Sequence, residues 1–448
     1  MNILLFMLLE KIANFLWGPG TLLLVLGTGI YLTLGTRFLS FTKLKTAFSA
    51  ALKGDSEAPG EVSGWAALCT SLAATLGTGN IIGVATAVAA GGPGALFWMV
   101  VSSFFGMATK YAEGYLAVQY RRRTKAGFIG GPFYYLEQGL KRPFLAKVFA
   151  FSCVLCCLIS MGTTSQINGM VEAAEDVFPS PYTPLIAGAV TTLLVGLVLS
   201  GGIKRIASVS TLLVPLMAGL YTGLILWLLI LNVSKIPAAL GLIVRSAIAP
   251  KAVFGGTAGY TIQKALRYGL GRGIFSNEAG MGSDPITAAA AKTAHPVHQG
   301  LISMLGPFLD TVVMCTLTGL AVVVTEAWRA PGIDGANITL YALQQLPLPR
   351  TFLSLLYMLC LLFFGFSSII GWSYYGEQSL RYLFPRRPGI NRLFRFVFLL
   401  FLMAGAFLTA EATWAIADIF CAFMMIPNLI GLLGLSKQVF QGTKEYFT

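Results

Sequence analysis

Residues 73–83 read Ala-Ala-Thr-Leu-Gly-Thr-Gly-Asn-Ile-Ile-Gly, placing three glycines, two threonines and an asparagine inside an apolar run long enough to cross a membrane. Glycine weakens a helix interior and a buried amide needs partners, so a continuous lipid-facing helix is not built this way. The composition predicts a helix that unwinds and frees backbone N–H and C=O groups for a ligand. A second such stretch, Gly-Arg-Gly-Ile-Phe-Ser-Asn-Glu-Ala-Gly-Met-Gly at 271–282, repeats the spacing, Asn277-x-x-Gly280 following Asn80-x-x-Gly83 by 197 residues. Interrupted apolar segments at matching places in two halves of a chain point to a transporter's substrate site. Tight helix packing through Gly79-x-x-x-Gly83 is the plainer alternative, and the paired breaks favour the site.

A broken helix presents N–H groups and positive potential at one end and carbonyl oxygens at the other. That pair suits an anionic group beside a cation, and an amino acid carboxylate with a coupling Na⁺ satisfies both. At the first break the amides of Thr78 and Gly79 suit the carboxylate, and the carbonyls of Ala73 and Leu76 suit the ion. The adjacent hydroxyls of Ser367 and Ser368 would complete an oxygen cage. Gln166 and Asn168, with Thr163, Thr164 and Ser165, form a polar cluster that serves equally as substrate contact or as helix-joining amides.

Glu278 and Asp310 are acids in apolar segments, where burial is costly and function is the default reading. Glu278 also suits capping of the amides freed at the second break; Asp310 either pairs with a basic group or carries a proton. Phe275 and Trp372 are aromatics beside polar break residues, placed to close a small pocket or simply to pack. His295 and His298 have no ligand set around them. Seven cysteines without paired spacing suggest packing rather than a disulfide framework or zinc.

These residues must be positioned by membrane-spanning helices. The chain of 448 residues is 56% hydrophobic and 11% charged, with a mean hydropathy of +0.75, whereas soluble domains carry about 25% charged residues. The expected fold class is an all-α polytopic membrane protein of about eleven spans, at 16–36, 64–90, 95–120, 148–171, 183–200, 206–231, 257–283, 301–325, 351–375, 393–409 and 413–434. An amphipathic, Gly/Pro-broken segment at 125–147 separates the third and fourth. The net charge of +13 lies in loops beside spans, which fits topology better than nucleic acid. Of the 31 lysines and arginines, 21 fall in one set of alternating loops, led by Arg121, Arg122 and Arg123, against six on the other side. The positive-inside rule then places the N-terminus outside and the C-terminus in the cytoplasm, as for a bacterial inner membrane. The first residues, interrupted by Glu10 and Lys11, do not read as a cleaved signal peptide.

The expected organisation is an extra N-terminal helix and loop (1–62), a five-helix half (63–232), an outer connection (233–256), a second five-helix half (257–436) and a tail (437–448). An odd number of spans per half inverts one half relative to the other. An intramembrane enzyme has no support, since paired acids at hydrolase spacing, a His-Glu zinc motif and a nucleophile–base pair are all missing from the sequence. Proton coupling through Glu278 or Asp310, and a non-transporting amino acid sensor, remain the alternatives.

Several ordered motifs carry a family resemblance: Gly-Thr-Gly-Asn-Ile-Ile-Gly-Val-Ala-Thr-Ala at 77–87, Gly-Gly-Pro-Gly-Ala-Leu-Phe-Trp-Met at 91–99, Phe-Ser-Asn-Glu-Ala-Gly-Met-Gly-Ser at 275–283, His-Pro-Val-His-Gln-Gly-Leu at 295–301 and Gly-Trp-Ser-Tyr-Tyr-Gly-Glu at 371–377. Over about 64–434 the chain resembles the alanine or glycine:cation symporters, the sodium:alanine symporter family. The resemblance implies a LeuT-like five-plus-five inverted repeat and Na⁺-driven uptake of alanine or glycine by alternating access, with no organic cofactor and no obligate protein partner. It implies substrate contacts at Thr78, Gly79, Asn80, Gln166, Phe275, Ser276, Gly280 and Trp372, and Na⁺ ligands at Ala73, Leu76, Ser367 and Ser368. Asp284, Ala294 and the run Thr163 to Ser165 depart from the family pattern.

Overall fold

In a hydrocarbon environment the backbone has only itself to bond, so long apolar stretches close into helices. The computed structural model describes residues 3–53, 58–124, 127–248, 262–333, 335–387, 389–408 and 410–448, and these are nearly all helical. Among the described residues, five helices are each long and apolar enough to cross a membrane: Pro143–Val177 (loosened near 160–163), Gly202–Leu231, Pro296–Val324, Arg350–Leu383 and Ile416–Phe447. A sixth span is a bent pair, Gly64–Thr75 with Thr78–Gly91, turned by 67° at the break. Shorter apolar helices occupy Pro19–Gly35 and Thr183–Leu199. The start of the expected seventh span, 257–261, lies outside the described residues.

Large apolar side chains remain exposed on the outward faces, among them Leu193, Leu212, Leu216, Ile230 and Phe396, all more than half exposed. In a bilayer such faces meet lipid. Hydroxyls inside the helices bond back one turn, as Thr28 does to the Leu24 carbonyl (2.7 Å) and Thr70 to that of Ala66 (2.7 Å), which hides their polarity from hydrocarbon.

Two helices organise the interior. Gly94–Gln119 packs along Ile262–Asn277 and Pro296–Ser303, and Arg350–Leu383 packs against Pro143–Ile159, Thr164–Val177 and Gly64–Thr75. Both interrupted segments thereby lie in the protein core. The expected Gly/Pro-broken stretch between the third and fourth spans is a series of short elements. It comprises a two-stranded antiparallel hairpin (Arg122–Thr124 with Gly127–Ile129), a turn of π-helix at Tyr135–Gly139 and the start of the next helix at Pro143.

Candidate substrate and ion site

At the first break the chain leaves helix geometry at Leu76 and runs extended through Gly77 (φ −117°, ψ −165°) before a 3₁₀ turn at Thr78–Asn80. Asn80 steadies the turn, its Oδ1 accepting from the Gly77 N–H at 3.1 Å. The Thr78 N–H and hydroxyl both donate to Gln166 Oε1 at 3.1 Å. Gly77 makes this approach possible, because a Cβ there would stand 2.8 Å from Gln166 Oε1. A Cβ on Gly79 would meet nothing within 4 Å, so open space adjoins the break.

The carbonyl side faces Arg350–Leu383. Ser367 donates to the Leu76 carbonyl at 3.4 Å and to that of Phe364, in its own helix, at 2.9 Å. Ser368 donates to the Ala74 carbonyl at 2.8 Å, next to Ala73, the expected ion ligand, which is fully buried. Two carbonyls and two hydroxyls make a neutral, all-oxygen donor set that fits Na⁺.

The second break begins where Ile262–Asn277 ends. Glu278 (φ 55°), Gly280 (φ 88°) and Gly282 (φ 79°) all adopt left-handed backbone before a short helix, Asp284–Ala288. For a glutamate that conformation is strained, and such strain persists where surrounding contacts enforce it. Glu278 is fully buried and accepts from Trp372 Nε1 at 3.0 Å and from the Ser283 hydroxyl. It does not cap the freed amides. Glu113, from Gly94–Gln119, does so, accepting from the N–H groups of Gly280 (3.1 Å) and Gly282 (3.2 Å) and from Asn428 Nδ2 (2.7 Å). Asn428 also donates to the Gly280 carbonyl at 2.9 Å, so both polar backbone atoms of Gly280 are engaged on this side.

Asp310 joins the two breaks. Its carboxylate accepts from Asn80 Nδ2 (2.7 Å), the Ser276 hydroxyl (2.9 Å) and the Thr311 hydroxyl (2.6 Å). Its hydrogen-bond partners are thus all neutral donors. Asn277 does not play the part of Asn80: its Oδ1 accepts from the Ala279 N–H at 3.0 Å, and its amide reaches Thr311 at 3.1 Å. Phe275 is 5% exposed beside Ser276, and Trp372 is fully buried. Asn168 proves to be a helix-joining amide, donating to the carbonyls of Gly405 (2.7 Å) and Leu408 (2.9 Å). His295 caps its own helix through Nδ1, which accepts from the Val297 N–H at 3.2 Å.

Glu113, Lys110 and Asn428 carry no expectation from the sequence reading. Lys110 and Glu113 are three residues apart in an apolar span, itself a signal for a buried functional pair. Lys110 is 1% exposed, and its Nζ has no hydrogen-bond partner among the described residues.

One end of the molecule is latched. Segment 59–62, ahead of the first broken helix, and segment 289–293, beyond the second, are bridged by Glu61 N–H to the Ala290 carbonyl (2.8 Å) and Lys292 N–H to that of Val62 (2.7 Å). Arg121 clamps both, donating to the carbonyls of Pro59 (3.0 Å), Ala289 (3.2 Å), Ala291 (2.7 Å) and Thr293 (2.7 Å).

A multi-pass helical protein whose interrupted helices meet across buried polar side chains is a secondary transporter. Its fold is similar to that in the crystal structure of MhsT in complex with L-phenylalanine, with a TM-score of 0.61 at 11% identity, covering 87% of this chain and 99% of that one. The chain belongs to the sodium:alanine symporter family, whose model matches residues 2–448. It is 43% identical over 449 residues to the sodium/alanine symporter AgcS of Methanococcus maripaludis, covering 98% of this chain and 96% of the relative. An uncharacterized transporter of Haemophilus influenzae is 49% identical over 441 residues (98% and 96% covered). The probable sodium/glutamine symporter GlnT of Bacillus subtilis is 37% identical over 439 residues (97% and 89% covered).

Proposed function

We propose that this protein imports small neutral amino acids, alanine or glycine, by symport with Na⁺. The observation that carries this reading is the two-sided first break. The carbonyls of Ala74 and Leu76 face two serine hydroxyls, and two residues beyond Leu76 the Thr78 N–H and hydroxyl face Gln166 and open space. Na⁺ at the first group and a substrate carboxylate at the second stabilise the same conformation of one short segment. Each then raises the other's affinity, which is the thermodynamic content of coupling.

In this reading Asn80, Ser276 and Asp310 hold the two breaks in register, and Trp372 and Phe275 close the pocket. Eleven spans form two inverted five-helix halves, 63–232 and 257–436, behind an N-terminal helix, with the C-terminus in the cytoplasm. The Arg121 latch then lies on the cytoplasmic side and is the contact that must open to release substrate inward. Radiolabelled alanine uptake into proteoliposomes, under an inward Na⁺ gradient or an equal K⁺ gradient, tests the reading. Accumulation with Na⁺ alone supports it; equal accumulation with K⁺, or none with either, removes it.

The buried acids Glu113, Glu278 and Asp310 favour one further reading, proton coupling. Uptake that follows an imposed pH gradient and ignores Na⁺ would establish that mechanism instead.

A further inference from the structure

A cavity of about 590 Å³ opens where the chain leaving Pro19–Gly35 meets the last turns of Ala410–Phe447. That is within the range of about 300–1,000 Å³ for ligand sites. Four cations line it, Arg37 and Lys43 on one wall and Lys437 and Lys444 on the other, and no acidic side chain does. None of the four forms an ion pair among the described residues. Lys43 lies 4.7 Å from the centre of the Phe447 ring, a contact that orients an ammonium without cancelling its charge. Glu445, outside the lining, accepts from Gln441 Nε2 at 2.9 Å. Most of the lining surface is nonetheless apolar, Leu39, Phe440 and Phe447 contributing to it. Lys437, Phe440, Lys444 and Phe447 recur every three or four residues, so one helix face carries both charge and rings. On the neighbouring span, Leu23, Ile30 and Leu34 are exposed at helical spacing and extend apolar surface along Pro19–Gly35.

We propose that this cavity holds the phosphate headgroup of an anionic membrane phospholipid, with an acyl chain following the stripe of Leu34, Ile30 and Leu23 into the bilayer. The orientation proposed above sets this end at the cytoplasmic leaflet, where anionic lipids attract clusters of lysine and arginine beside a span. The positive-inside rule alone does not account for the lining. A second cavity, of about 610 Å³, sets Glu61 and Glu377 among its cations Lys204, Arg381, Arg386 and Arg387, whereas the first carries positive charge only. An exclusively cationic lining selects a negative ligand, and Arg37 and the three lysines suit phosphate oxygens as fork and point charges. The apolar lining selects an amphiphile over a free anion, because it is removed from water only when hydrocarbon covers it. None of the lining residues belongs to the substrate or ion site, so the inference stands apart from the symporter reading.

The test is native mass spectrometry of the full chain in detergent, titrated with phosphatidylglycerol, with phosphatidylcholine (zwitterionic) and with glycerol 3-phosphate (no acyl chain). Wild type is expected to bind phosphatidylglycerol at least about fivefold more tightly than phosphatidylcholine, the equivalent of one cation at a membrane surface. R37Q and K437Q, one on each wall, are each expected to weaken phosphatidylglycerol binding by about the same factor. R387Q, from the second cavity, should bind it as wild type does. Equal affinity for the two lipids, or losses in R37Q and K437Q no larger than in R387Q, overturns the site. Glycerol 3-phosphate that displaces phosphatidylglycerol at equal concentration assigns the cavity to a free phosphate and overturns the lipid. Should either wall variant fail to fold, the other decides by the same comparison with R387Q.

Discussion

The Asn80 side-chain amide donates to an Asp310 carboxylate oxygen at 2.7 Å, tying the turn of the first break to the Pro296–Val324 helix. Ser276, at the second break, donates to the other oxygen of the same carboxylate at 2.9 Å. One buried acid thus sets the distance between two interrupted segments that lie far apart in sequence. Asn80→Ala removes one of its donors and is expected to destabilise the protein by about 1–3 kcal/mol and to lower uptake strongly. Thermal unfolding in detergent beside uptake in vesicles checks both parts, and a fully stable, fully active N80A protein would rule out the linkage.

Gln166 occupies two donors of Thr78 with a single oxygen. Gln166→Ala is expected to raise KM for alanine about tenfold while the protein remains in the membrane, because the turn loses the partner that holds its donors in place. Gln166→Glu keeps an acceptor but adds a negative charge where the substrate carboxylate approaches, and should impair uptake further. Kinetics on purified, quantified protein distinguish the two.

Ser367→Ala and Ser368→Ala each remove one hydroxyl from the oxygen group facing Leu76 and Ala74. The Na⁺ concentration for half-maximal uptake is expected to rise about tenfold in each, roughly 1.4 kcal/mol of lost ion binding. Uptake at saturating Na⁺ should largely recover. A Na⁺ titration of alanine uptake measures this, and an unchanged half-saturation point would move the ion elsewhere.

Lys110 is a buried lysine whose Nζ has no hydrogen-bond partner among the described residues, in an interior that also holds the buried acids Glu113, Glu278 and Asp310. Neutralising it alone leaves buried carboxylates uncompensated, so K110M is expected to lose about 3–5 kcal/mol of stability. K110M/E113Q should recover part of that loss, although Glu113→Gln weakens the capping of Gly280 and Gly282. Unfolding transitions of the two single variants and the double variant supply the coupling energy. Additive effects would mean that the two charges do not interact.

Arg121 holds four carbonyls on the two segments of the latch. Arg121→Ala is expected to shift the population toward a conformation open at that end. An Ala290→Cys reporter should then react several-fold faster with a membrane-impermeant maleimide from the cytoplasmic side. Equal labelling rates with and without Arg121 would show that the latch is not a gate.

The membrane class, the helical interior and both interruptions were legible in the sequence because each depends on local chemistry. Apolar length decides whether a segment suits a bilayer, and clustered glycines with an asparagine decide that a helix will not continue there. The same local signals placed Thr78, Asn80 and Ser276 within the two interrupted stretches and Ser367 and Ser368 opposite the first, whereas Gln166 was tied to the break only by the family resemblance. Partner choice was not local. That Glu113 rather than Glu278 caps the second break, that Asp310 meets Asn80 and Ser276, and that Ser368 meets the carbonyl of Ala74 all depend on how helices far apart in sequence are rotated against one another. Asn80 and Asn277 share a sequence spacing yet bond differently, because the first turn is 3₁₀ and the second passes through left-handed Glu278 and Gly280. Burial makes an unpaired polar group costly, so tertiary packing selects which of several chemically suitable partners each buried group meets.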